Sequence, residues 1–511
     1  IPTQSGLEGI IEYNTSLFRA ATIEALAHHF VNLVEQCVAC PDRDIGKIAL
    51  KCHPKTIAHI AQKFSNTAPS FLSQIPCQLF EGNAKKSPSK VALIDQNNYL
   101  NYSELNRQAN KLARYIQSKY LRSPEENREK TPIVGIFLSK SAEVIVSILA
   151  VLKAGAAYVP IDMKSPERRI KFIVSDADCA LIITKSMHKE TFKFIDQPLL
   201  CLDQEKTEIA IHSASNLPCN SKPDDLMYVI YTSGTTGQPK GVMQTHFNVA
   251  RLFHATYRVF HFSMTDTWIL FHSHAFDFSV WEMWGAFLYG GQLIIPNEND
   301  ITDPYRLCDL IKKHNVTILN QTPSAFESFV QMFKEKYSNL SSLRYIIFGG
   351  ESLNTKILSD WWEKFNDTQP IMVNMYGITE TTVHTTYKIL SKMDLHRREN
   401  SNIGVPLNDM SIVIVDQNKV PVPIGVPGEL LVGGNGLAIG YLNQPEMTRE
   451  KFIAYPLDYA NRTYKYSFQE SKKARYYRTG DLVRYLSDGT LEYLGRIDKQ
   501  IKFKGYRIET G

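Results

Sequence analysis

Residues Tyr231 to Gly241, YTSGTTGQPKG, overlap the end of an apolar run that is typical of a buried β-strand. The stretch contains three glycines and four hydroxyl residues, so it is unsuited to a hydrophobic core. Backbone N–H groups and hydroxyls in such a loop can donate hydrogen bonds to phosphate oxygens, and Lys240 adds a positive charge. The Gly-Lys-Ser/Thr ending of a P-loop is absent. The stretch therefore predicts a phosphate-binding loop of another kind, with a plain Ser/Gly connection as the less favoured alternative.

Short apolar runs alternate with helical stretches from Pro76 onward, which is the pattern of an α/β protein. The runs that each predict one strand are Val91 to Ile94, Ile133 to Phe137, Ala180 to Thr184, Tyr228 to Thr232 and Tyr345 to Gly350. After about residue 400 the sequence becomes rich in strand-like runs and glycine, which predicts an antiparallel or barrel-like subdomain.

Composition and charge argue against several classes of protein. The chain has 511 residues, enough for roughly two to four domains of about 100–200 residues each. Hydrophobic residues make up 43% and charged residues 21%, as in a folded globular protein. The net charge of +5 without a dense Lys/Arg cluster argues against a nucleic-acid partner. The longest aliphatic stretch, Val144 to Leu152, is too short to span a membrane.

The cysteines and the first residue bear on where the protein resides. The eight cysteines follow no disulfide framework, and in a chain this long they predict reduced thiols and a cytoplasmic location. Cys37 and Cys40 form a CxxC pair, but no second pair lies at the spacing of a zinc site. The chain begins with Ile1 and no secretory leader follows, so we expect a piece of a longer soluble chain.

The YTSGTTGQPKG stretch resembles the phosphate loop of the adenylate-forming superfamily, which includes acyl-CoA synthetases, luciferases and the adenylation domains of nonribosomal peptide synthetases. Seven more stretches match that superfamily in its own order: LNYSELN (Leu100 to Asn106), LKAGAAYVPID (Leu152 to Asp162), FDFSVWE (Phe276 to Glu282), NMYGITETT (Asn374 to Thr382), GELLVGGNGLAIGY (Gly428 to Tyr441), YRTGDL (Tyr477 to Leu482) and GRIDKQIKFKGYRIE (Gly495 to Glu509). The resemblance implies an α/β fold with two β-sheet/helix subdomains and a β-rich, barrel-like subdomain, and it implies that the small C-terminal subdomain is almost wholly missing.

The resemblance implies ATP and Mg²⁺ as cofactors, in a reaction where a carboxylate attacks the α-phosphorus of ATP and pyrophosphate leaves. Such a reaction needs alignment and charge neutralisation more than covalent catalysis. Glu380 is implied as the magnesium ligand, Thr379 as a donor to the α-phosphate, Tyr376 as the ring that stacks on adenine, and Asp481 as the acceptor of the ribose hydroxyls. The full set implied for the nucleotide is Thr232, Ser233, Gly234, Thr235, Thr236, Gly237, Lys240, Gly350, Glu351, Asn374, Tyr376, Thr379, Asp481, Tyr493 and Arg496.

Asp277 distinguishes the branches of the superfamily. In the peptide-synthetase branch the aspartate of FDxSVWE binds the α-ammonium of an amino acid, whereas fatty-acid and aromatic-acid members lack it. A carboxylate among Phe276, Phe278, Val280 and Trp281 is costly to bury without a cationic partner. The resemblance therefore implies an amino-acid substrate, and pairing of Asp277 with a nearby lysine or the backbone is the alternative.

The residues implied to surround the amino acid are Asp277, Phe278, Trp281, Asn320, Ile347, Gly349, Met375, Val383 and His384. Their order resembles the superfamily's signature for L-threonine. The apolar members form a box for a short β-branched side chain, while Asn320 and His384 can bind one hydroxyl. We expect threonine as the preferred substrate, serine as a weak competitor, and valine to be excluded. The alternative is that Asn320 and His384 bond to each other or to water, so that shape decides the selectivity.

The resemblance divides the chain into four parts. Residues 1–50 resemble the C-terminal tail of a condensation domain, without its HHxxxDG motif, and include a predicted helix capped by Thr22. Residues 51–75 are a linker, 76–497 the adenylation core, and 498–511 the hinge, with Asp498 at the hinge position, and the start of a truncated subdomain. The superfamily's catalytic lysine falls beyond Gly511, so we expect this chain to be weakly active or inactive, with no catalytic residue identifiable in it.

The implied partners are a carrier domain, whose phosphopantetheine thiol accepts the amino acid, and a condensation domain of the same synthetase. The product class is an antibiotic or siderophore-type secondary metabolite, and the need for an MbtH-like activator stays open. Two other functions also stay open, namely an acyl-CoA synthetase-type carboxylate ligase and a non-catalytic, truncated binding module. Neither a nucleic-acid partner nor a membrane is expected.

Overall fold

The alternating apolar and helical stretches form two large β-sheets with helices packed against them. The computed structural model describes residues 2–3, 6–18, 20–42, 74–121, 130–233, 238–333, 340–396, 401–456, 473–498, 500–503 and 506–509. Most of the predicted linker 51–75 lies outside these residues, as do Gly234, Thr235, Thr236 and Gly237 of the predicted phosphate loop.

In chain order, the strands up to Phe348 are β1 (Pro2–Thr3), β2 (Gly6–Leu7), β3 (Val91–Asp95), β4 (Asn98–Asn101), β5 (Ile133–Ile136), β6 (Ala157–Pro160), β7 (Leu181–Thr184), β8 (Leu199–Cys201), β9 (Leu226–Thr232), β10 (Lys240–Thr245), β11 (Thr267–Ile269), β12 (Gln292–Ile295), β13 (Ile318–Gln321) and β14 (Tyr345–Phe348). The later strands are β15 (Ile371–Tyr376), β16 (Thr386–Ile389), β17 (Asn402–Pro406), β18 (Met410–Val415), β19 (Gly428–Gly434), β20 (Gly440–Tyr441), β21 (Phe452–Pro456), β22 (Lys473–Tyr485), β23 (Leu491–Arg496), β24 (Gln500–Phe503) and β25 (Tyr506–Glu509).

The helices are α1 (Ala20–Ala39), α2 (Pro76–Lys86), α3 (Tyr102–Lys119), α4 (Ala142–Lys153), α5 (Glu167–Asp176), α6 (Lys206–Ala210), α7 (His246–Phe260), α8 (Phe278–Leu288), α9 (Glu298–Thr302), α10 (Pro304–His314), α11 (Pro323–Phe333), α12 (Ser359–Lys364) and α13 (Pro445–Lys451). Short 3₁₀ segments occupy Ser186–Phe192, Thr355–Leu358, Thr379–Thr381 and Lys392–His396. In the described residues, no helix combines the length and hydrophobicity that a membrane span requires.

The LNYSELN stretch builds the start of a helix. Asn101 Oδ1 accepts a hydrogen bond from the Glu104 backbone N–H at 2.8 Å, and the Asn101 N–H donates to Glu104 Oε2 at 2.9 Å. This reciprocal capping box satisfies two backbone donors at the N-terminus of α3. The LNYSELN stretch, which supports the family resemblance, therefore stabilises the start of α3.

The first sheet has seven strands in the order β20-β10-β9-β6-β5-β7-β8. Strands β9, β6, β5, β7 and β8 pair in parallel, and β10 and β20 add two antiparallel strands at one edge. Strands β5, β6 and β7 are buried at every residue, as expected for parallel strands covered on both faces. Three of the five predicted runs, Ile133 to Phe137, Ala180 to Thr184 and Tyr228 to Thr232, correspond to β5, β7 and β9 of this sheet.

The second sheet has fourteen strands and changes character along its length. Strands β3, β12, β11, β13, β14 and β15 pair in parallel, and from β16 onward the pairing is antiparallel. The strands after residue 400 extend this same sheet through β17, β23, β22, β19 and β18, with β21 paired to β22. The α/β class is confirmed, and the antiparallel C-terminal region is continuous with the second sheet.

The predicted phosphate loop is shorter than the quoted stretch. Strand β9 continues to Thr232 and β10 begins at Lys240, and these two residues pair across the antiparallel ladder. Thr232 and Lys240 therefore belong to strands and not to a loop. A strand fixes the position of that ammonium group more firmly than a loop would.

Candidate functional site

One cavity of about 490 Å³, the main cavity, lies at the carboxyl ends of parallel strands from both sheets. Pro160 and Thr232 close β6 and β9 of the first sheet, and Met375 lies near the end of β15 in the second. Ligands of open α/β sheets bind at this edge, because loops and side chains from several strands converge there. The position alone makes the main cavity the principal candidate site among the described residues.

The structure brings many of the implied site residues to this place. Those that line the main cavity are Thr232, Ser233, Asp277, Phe278, Gly350, Met375, Thr379, Val383 and His384. A second space of about 20 Å³, the small cavity, shares Gly350 and Met375 with it and is also lined by Glu351, Asn374, Tyr376 and Tyr493. The described residues of the implied sets that line neither cavity are Lys240, Trp281, Asn320, Ile347, Gly349, Glu380, Asp481 and Arg496.

Aromatic rings hold His384 at the wall of the main cavity. Its imidazole contacts the ring of Phe278 edge-on at 5.2 Å between centroids, and that of Trp281 edge-on at 4.9 Å. Trp281 Nε1 donates to Asn320 Oδ1 at 3.1 Å, and the Trp281 ring stacks on Phe253 at 4.9 Å. Edge-to-face and offset-stacked contacts restrict the orientation of each ring. Trp281 and Asn320 therefore form a rigid layer behind His384.

Two polar atoms, one in this layer and one on His384 in front of it, have no hydrogen-bond partner. They are Asn320 Nδ2 and His384 Nε2, both shielded from solvent. Buried polar atoms in folded proteins are nearly always paired, so His384 Nε2, at the wall of the main cavity, points to a ligand or to an ordered water. Burial, and to a lesser extent the electrostatic influence of His272 and Arg251, lowers the pKa of His384 to about 3. The imidazole is neutral near pH 7 and can therefore exchange one hydrogen bond with a hydroxyl.

An acidic group lies at the wall of the main cavity, and two close-packed residues of the implied set, Ile347 and Gly349, lie behind that wall. Asp277 is 5% exposed and immediately precedes α8. Ile347 is fully buried on β14, and a Cβ atom at Gly349 would stand 3.1 Å from Phe278 Cε1. A side chain at position 349 would therefore push Phe278 into the cavity and reduce its width.

Three buried histidines predict a loss of stability in mild acid. Burial lowers the pKa of His246 and His274 to about 4 and that of His384 to about 3, from an ordinary value of 6.5. Below pH 6.5 the unfolded chain takes up protons that the folded chain does not, so stability is complete above that pH and falls as the pH is lowered. Each histidine contributes a slope of about 1.4 kcal/mol per pH unit. Urea unfolding between pH 7.5 and 5 measures it.

The variant His384→Asn isolates one of these three protons. Its free energy of unfolding is expected to depend on pH less steeply than that of the wild type between pH 6 and 5, by up to about 1.4 kcal/mol per pH unit. Equal slopes for the two proteins would contradict the conclusion that His384 stays neutral when buried.

Asp481 and its neighbours form a hydrogen-bonded cluster beside the small cavity. The Tyr376 hydroxyl donates to Asp481 Oδ2, and Arg496 Nη1 donates to Asp481 Oδ1 at 3.0 Å. The rings of Tyr376 and Tyr493 lie 6.2 Å apart. Burial, and then the charge of Asp481, raise the pKa of Tyr376 well above its ordinary value, so its hydroxyl stays protonated. Four of the implied nucleotide residues are thus in one place.

Two other implied nucleotide residues already have partners. Asn374 Nδ2 donates to the Asn402 carbonyl at 2.8 Å, and Glu351 Oε2 accepts from the Ser324 hydroxyl at 2.7 Å. These bonds fix the side chains at the rim of the small cavity. Asp498, implied as the hinge residue, pairs with Arg496, whose Nε donates to Asp498 Oδ1 at 2.9 Å.

Lys240 and Glu380 form a buried ion pair. Glu380 Oε1 accepts from Lys240 Nζ at 2.8 Å, from the Tyr441 hydroxyl at 2.8 Å and from the Tyr477 hydroxyl at 3.0 Å. Both charged side chains are almost completely shielded from solvent. The ammonium also lies 4.5 Å from the centre of the Tyr441 ring. The sequence analysis placed Lys240 and Glu380 near the phosphates but did not foresee that they bind each other.

This pair bears on the implied magnesium ion. A carboxylate oxygen is the ligand type that Mg²⁺ prefers, and magnesium sites often use one or two carboxylates together with substrate phosphates. No group of three or more His, Cys, Asp and Glu side chains in the described ranges is arranged as a metal site. The donor chemistry of Glu380 fits the ion, provided that the ion replaces the Lys240 ammonium at the carboxylate.

The sequence analysis missed the pair His272 and Glu282. His272 Nδ1 lies 2.8 Å from Glu282 Oε1, and the His272 ring stacks on Phe278 at 4.4 Å between centroids. Glu282 is fully buried on α8 and is the only charged residue of that helix. A single carboxylate in an apolar helix could have signalled a buried partner. The identity of the partner required the fold.

The chain belongs to the AMP-binding enzyme family, whose model matches residues 80–442, and its fold is that of the adenylation domains of nonribosomal peptide synthetases. It is 41% identical to the dimodular nonribosomal peptide synthase of Bacillus subtilis, over all of this chain and 21% of that protein. The chain therefore spans only about a fifth of that relative's length.

Two solved structures are similar to this fold. FmoA3, a nonribosomal peptide synthetase in its AMPPNP-bound form, has a TM-score of 0.81 and 26% identity, over 94% of this chain and 49% of FmoA3. PA1221, which contains adenylation and PCP domains, has a TM-score of 0.72 and 25% identity, over 86% of this chain and 71% of PA1221. The family and the fold implied by the eight matching stretches are confirmed.

Proposed function

We propose that this chain binds ATP and L-threonine and forms threonyl-AMP and pyrophosphate, for transfer to the phosphopantetheine thiol of a carrier domain. The observation that carries the proposal is the wall of the main cavity. There His384 Nε2, an unpartnered and neutral nitrogen, lies among aromatic rings in a space that Asp277 also lines. In this proposal the α-ammonium of threonine binds the Asp277 carboxylate, and the threonine hydroxyl forms a hydrogen bond with His384 Nε2.

Selectivity follows from the partners that the cavity offers. A site that hydrogen-bonds a substrate hydroxyl rejects the analogue without it by about 10⁴-fold or more, because its own polar atoms are then left unpaired. One missing methyl group costs only about 1–3 kcal/mol. Because His384 Nε2 at the cavity wall has no partner, valine is penalised more than serine. We therefore expect the affinity to decrease in the order threonine, serine, valine.

FmoA3 supports an aminoacyl adenylate as the ligand. It has also been solved in an α-methyl-L-serine-AMP-bound form, which has a TM-score of 0.80 with this chain and 25% identity. That ligand carries a β-hydroxyl, as threonyl-AMP does. The nucleotide part is assigned to the region of the small cavity, where Tyr376, Tyr493, Asp481 and Arg496 are grouped.

Magnesium and the partners belong to the same proposal. Mg²⁺ is assigned to Glu380, where it would neutralise phosphate charge. The carrier domain follows from the kind of synthetase that this chain resembles, and the PCP domain of PA1221 is an example of such a neighbour. Residues 1–50 are assigned to the tail of a condensation domain. The exposed apolar residues of α1, which are Leu26, Phe30, Val31, Leu33, Val34 and Val38, support a neighbouring domain there.

The second candidate is a carboxylate-to-CoA ligase of the same superfamily. Asp277 disfavours it, because a carboxylic acid without an amino group brings no ammonium to this buried carboxylate at the cavity wall. A non-catalytic binding module is the third candidate, and it differs from the first in forming no adenylate. Release of pyrophosphate with threonine, and no formation of threonyl-CoA, distinguishes the three.

The experiment that tests the proposal is calorimetric titration with sulfamoyl-adenosine carrying a threonyl, seryl or valyl group. These analogues do not react, so the titration measures binding separately from catalysis. We expect the threonyl analogue to bind tightest and the valyl analogue about 10⁴-fold more weakly. Valyl binding within tenfold of threonyl would contradict hydroxyl recognition. Absence of binding by all three would contradict the assignment of the main cavity.

A further inference from the structure

Two consecutive residues at the wall of the main cavity have left-handed backbone. Thr382 and Val383 both have φ near 60°, and neither is a glycine. Residues with a branched Cβ strongly disfavour this region, so two in succession form a strained segment that its surroundings must hold in place. Val383 and the next residue, His384, both line the cavity. The strain therefore lies where the amino-acid side chain would be recognised.

Gln244 holds this segment from the neighbouring sheet. Its Nε2 donates to the Thr379 carbonyl at 2.6 Å, and its Oε1 accepts from the Thr382 hydroxyl at 3.0 Å. Gln244 is fully buried on β10. Both ends of its amide are thus used, one before the strained pair and one within it. The Thr382 hydroxyl also reaches the Gly436 carbonyl, at 2.7 Å.

The backbone of Gly377 packs closely against this segment. A Cβ atom at Gly377 would lie 2.0 Å from the Val383 carbonyl oxygen, and the His384 N–H donates to the Thr382 carbonyl at 2.6 Å. The direction of the His384 imidazole therefore depends on the conformation of Thr382. Since Thr382 is bound to Gln244, a change at Gln244 is transmitted to His384 through two residues.

We propose that Gln244 is a positioning residue for amino-acid selection, which acts by holding Thr382 and Val383 so that His384 Nε2 meets the substrate hydroxyl. Gln244 lines neither cavity and touches no ligand in this assignment. The inference rests on the proposed function and deepens it. It assigns selectivity to a strand that begins with Lys240, outside the residues that surround the amino acid.

The test compares Gln244→Leu with the wild type, using threonyl- and valyl-sulfamoyl-adenosine in calorimetric titrations. We expect the ratio of the valyl to the threonyl dissociation constant to fall at least about tenfold, since a misplacement of about 1 Å can cost 10²-fold in such sites. Partial unfolding weakens both ligands equally, so the ratio does not depend on the folded fraction. A ratio equal to that of the wild type would overturn the proposal.

A second pair of variants tests the same contact at Thr382 and leaves the Gln244 amide in place. Thr382→Val keeps the branched Cβ and removes the hydroxyl, whereas Thr382→Ser keeps the hydroxyl. We expect the ratio to fall about tenfold in Thr382→Val and to stay within about twofold in Thr382→Ser. Equal ratios in these two variants would overturn the proposal, because a purely structural role of Thr382 predicts no change in selectivity.

Met243→Leu is the matched control, since Met243 precedes Gln244 on β10, and the side chains of successive strand residues point to opposite faces. The ratio of its valyl to its threonyl dissociation constant is expected to equal that of the wild type.

If wild-type protein bound no aminoacyl analogue, the proposed function would be wrong, and this inference with it. If it preferred another aminoacyl group, the same ratio would be taken for that group and its isostere without the polar atom. A wild type that binds and a Gln244→Leu variant with an unchanged ratio would overturn this inference alone.

Discussion

Replacing Asp277 by asparagine is expected to weaken the binding of threonyl-sulfamoyl-adenosine by about 30-fold or more, because removal of one partner of a buried, hydrogen-bonded charge pair costs about 2–5 kcal/mol. Asp277 is 5% exposed and lines the main cavity, so the ammonium that it is proposed to bind leaves water on binding. Asparagine has nearly the same shape and retains one acceptor oxygen. The loss of affinity therefore measures the contribution of the carboxylate charge, and calorimetric titration gives its size.

A ligand without the amino group completes the test. For the des-amino analogue of the same adenylate, Asp277→Asn is expected to bind as well as the wild type or better, since no ammonium is left to pair. The four dissociation constants form a cycle whose coupling term is the interaction between carboxylate and ammonium. A coupling near zero would assign Asp277 to a structural role and would reopen the carboxylate-to-CoA ligase.

The control for Asp277 is another carboxylate of the same cavity. Asp162 also lines the main cavity, but it is only half-buried and its Oδ1 accepts from the Lys164 backbone N–H at 2.9 Å. Asp162→Asn changes the net charge by the same amount as Asp277→Asn. We expect it to alter the affinity for the threonyl analogue by less than about fivefold, because screening weakens exposed charges.

Local sequence pattern predicted the framework of this fold. The runs Ile133 to Phe137, Ala180 to Thr184 and Tyr345 to Gly350 correspond to β5, β7 and β14, each of which is fully buried. Such strands can be predicted because burial on both faces leaves a continuous apolar run of strand length. The predicted helix from Thr22 corresponds to α1, which begins two residues earlier, at Ala20.

Contacts between distant residues could not be predicted in this way. Lys240 and Glu380 are 140 positions apart, and Tyr477 lies 97 positions beyond Glu380. Each residue is polar and belongs to a stretch that matches the family, but no pattern states which of them meet. The same holds for the bonds from Gln244 to Thr379 and Thr382, which join β10 to the loop after β15. These partners follow from the packing of the two sheets.

The candidate site could be predicted in part, less fully than the strands but better than the contacts between distant residues. The resemblance supplied the residues around the main cavity, and the geometry shows that Asp277, Phe278, Met375, Val383 and His384 line it. It did not predict that Trp281 and Asn320 lie in the layer behind, joined by a hydrogen bond. Burial behind an aromatic ring depends on side-chain packing, which residue order does not encode. The roles of these residues in binding stay predictions.

Glu380→Gln is expected to lower the stability of the folded chain by about 3–5 kcal/mol, because it leaves the buried Lys240 ammonium without its carboxylate. Glu380 Oε1 accepts hydrogen bonds from Lys240, Tyr441 and Tyr477, and its side chain is fully shielded from solvent. In the low-polarity interior a charge without its counter-ion is far more costly than one at the surface. Urea unfolding followed by tryptophan fluorescence measures the change in midpoint.

The double variant Lys240→Met with Glu380→Gln shows whether the cost comes from the unpaired charge. Replacing both partners of a buried pair by uncharged groups is often neutral, so we expect the double variant to be more stable than Glu380→Gln alone. The surface pair of Lys171 and Glu167, whose N···O distance is 2.9 Å, is the control, and Glu167→Gln should cost less than about 1 kcal/mol.

The same variants separate stability from nucleotide binding. In the wild type, Mg²⁺ with ATP is expected to raise the unfolding temperature, since a ligand that binds only the folded state stabilises it. The double variant is expected to lose most of that rise although it folds, because it lacks both the ammonium for phosphate and the carboxylate for the ion. An unchanged rise would place phosphates and metal elsewhere and would leave Lys240 and Glu380 a structural ion pair.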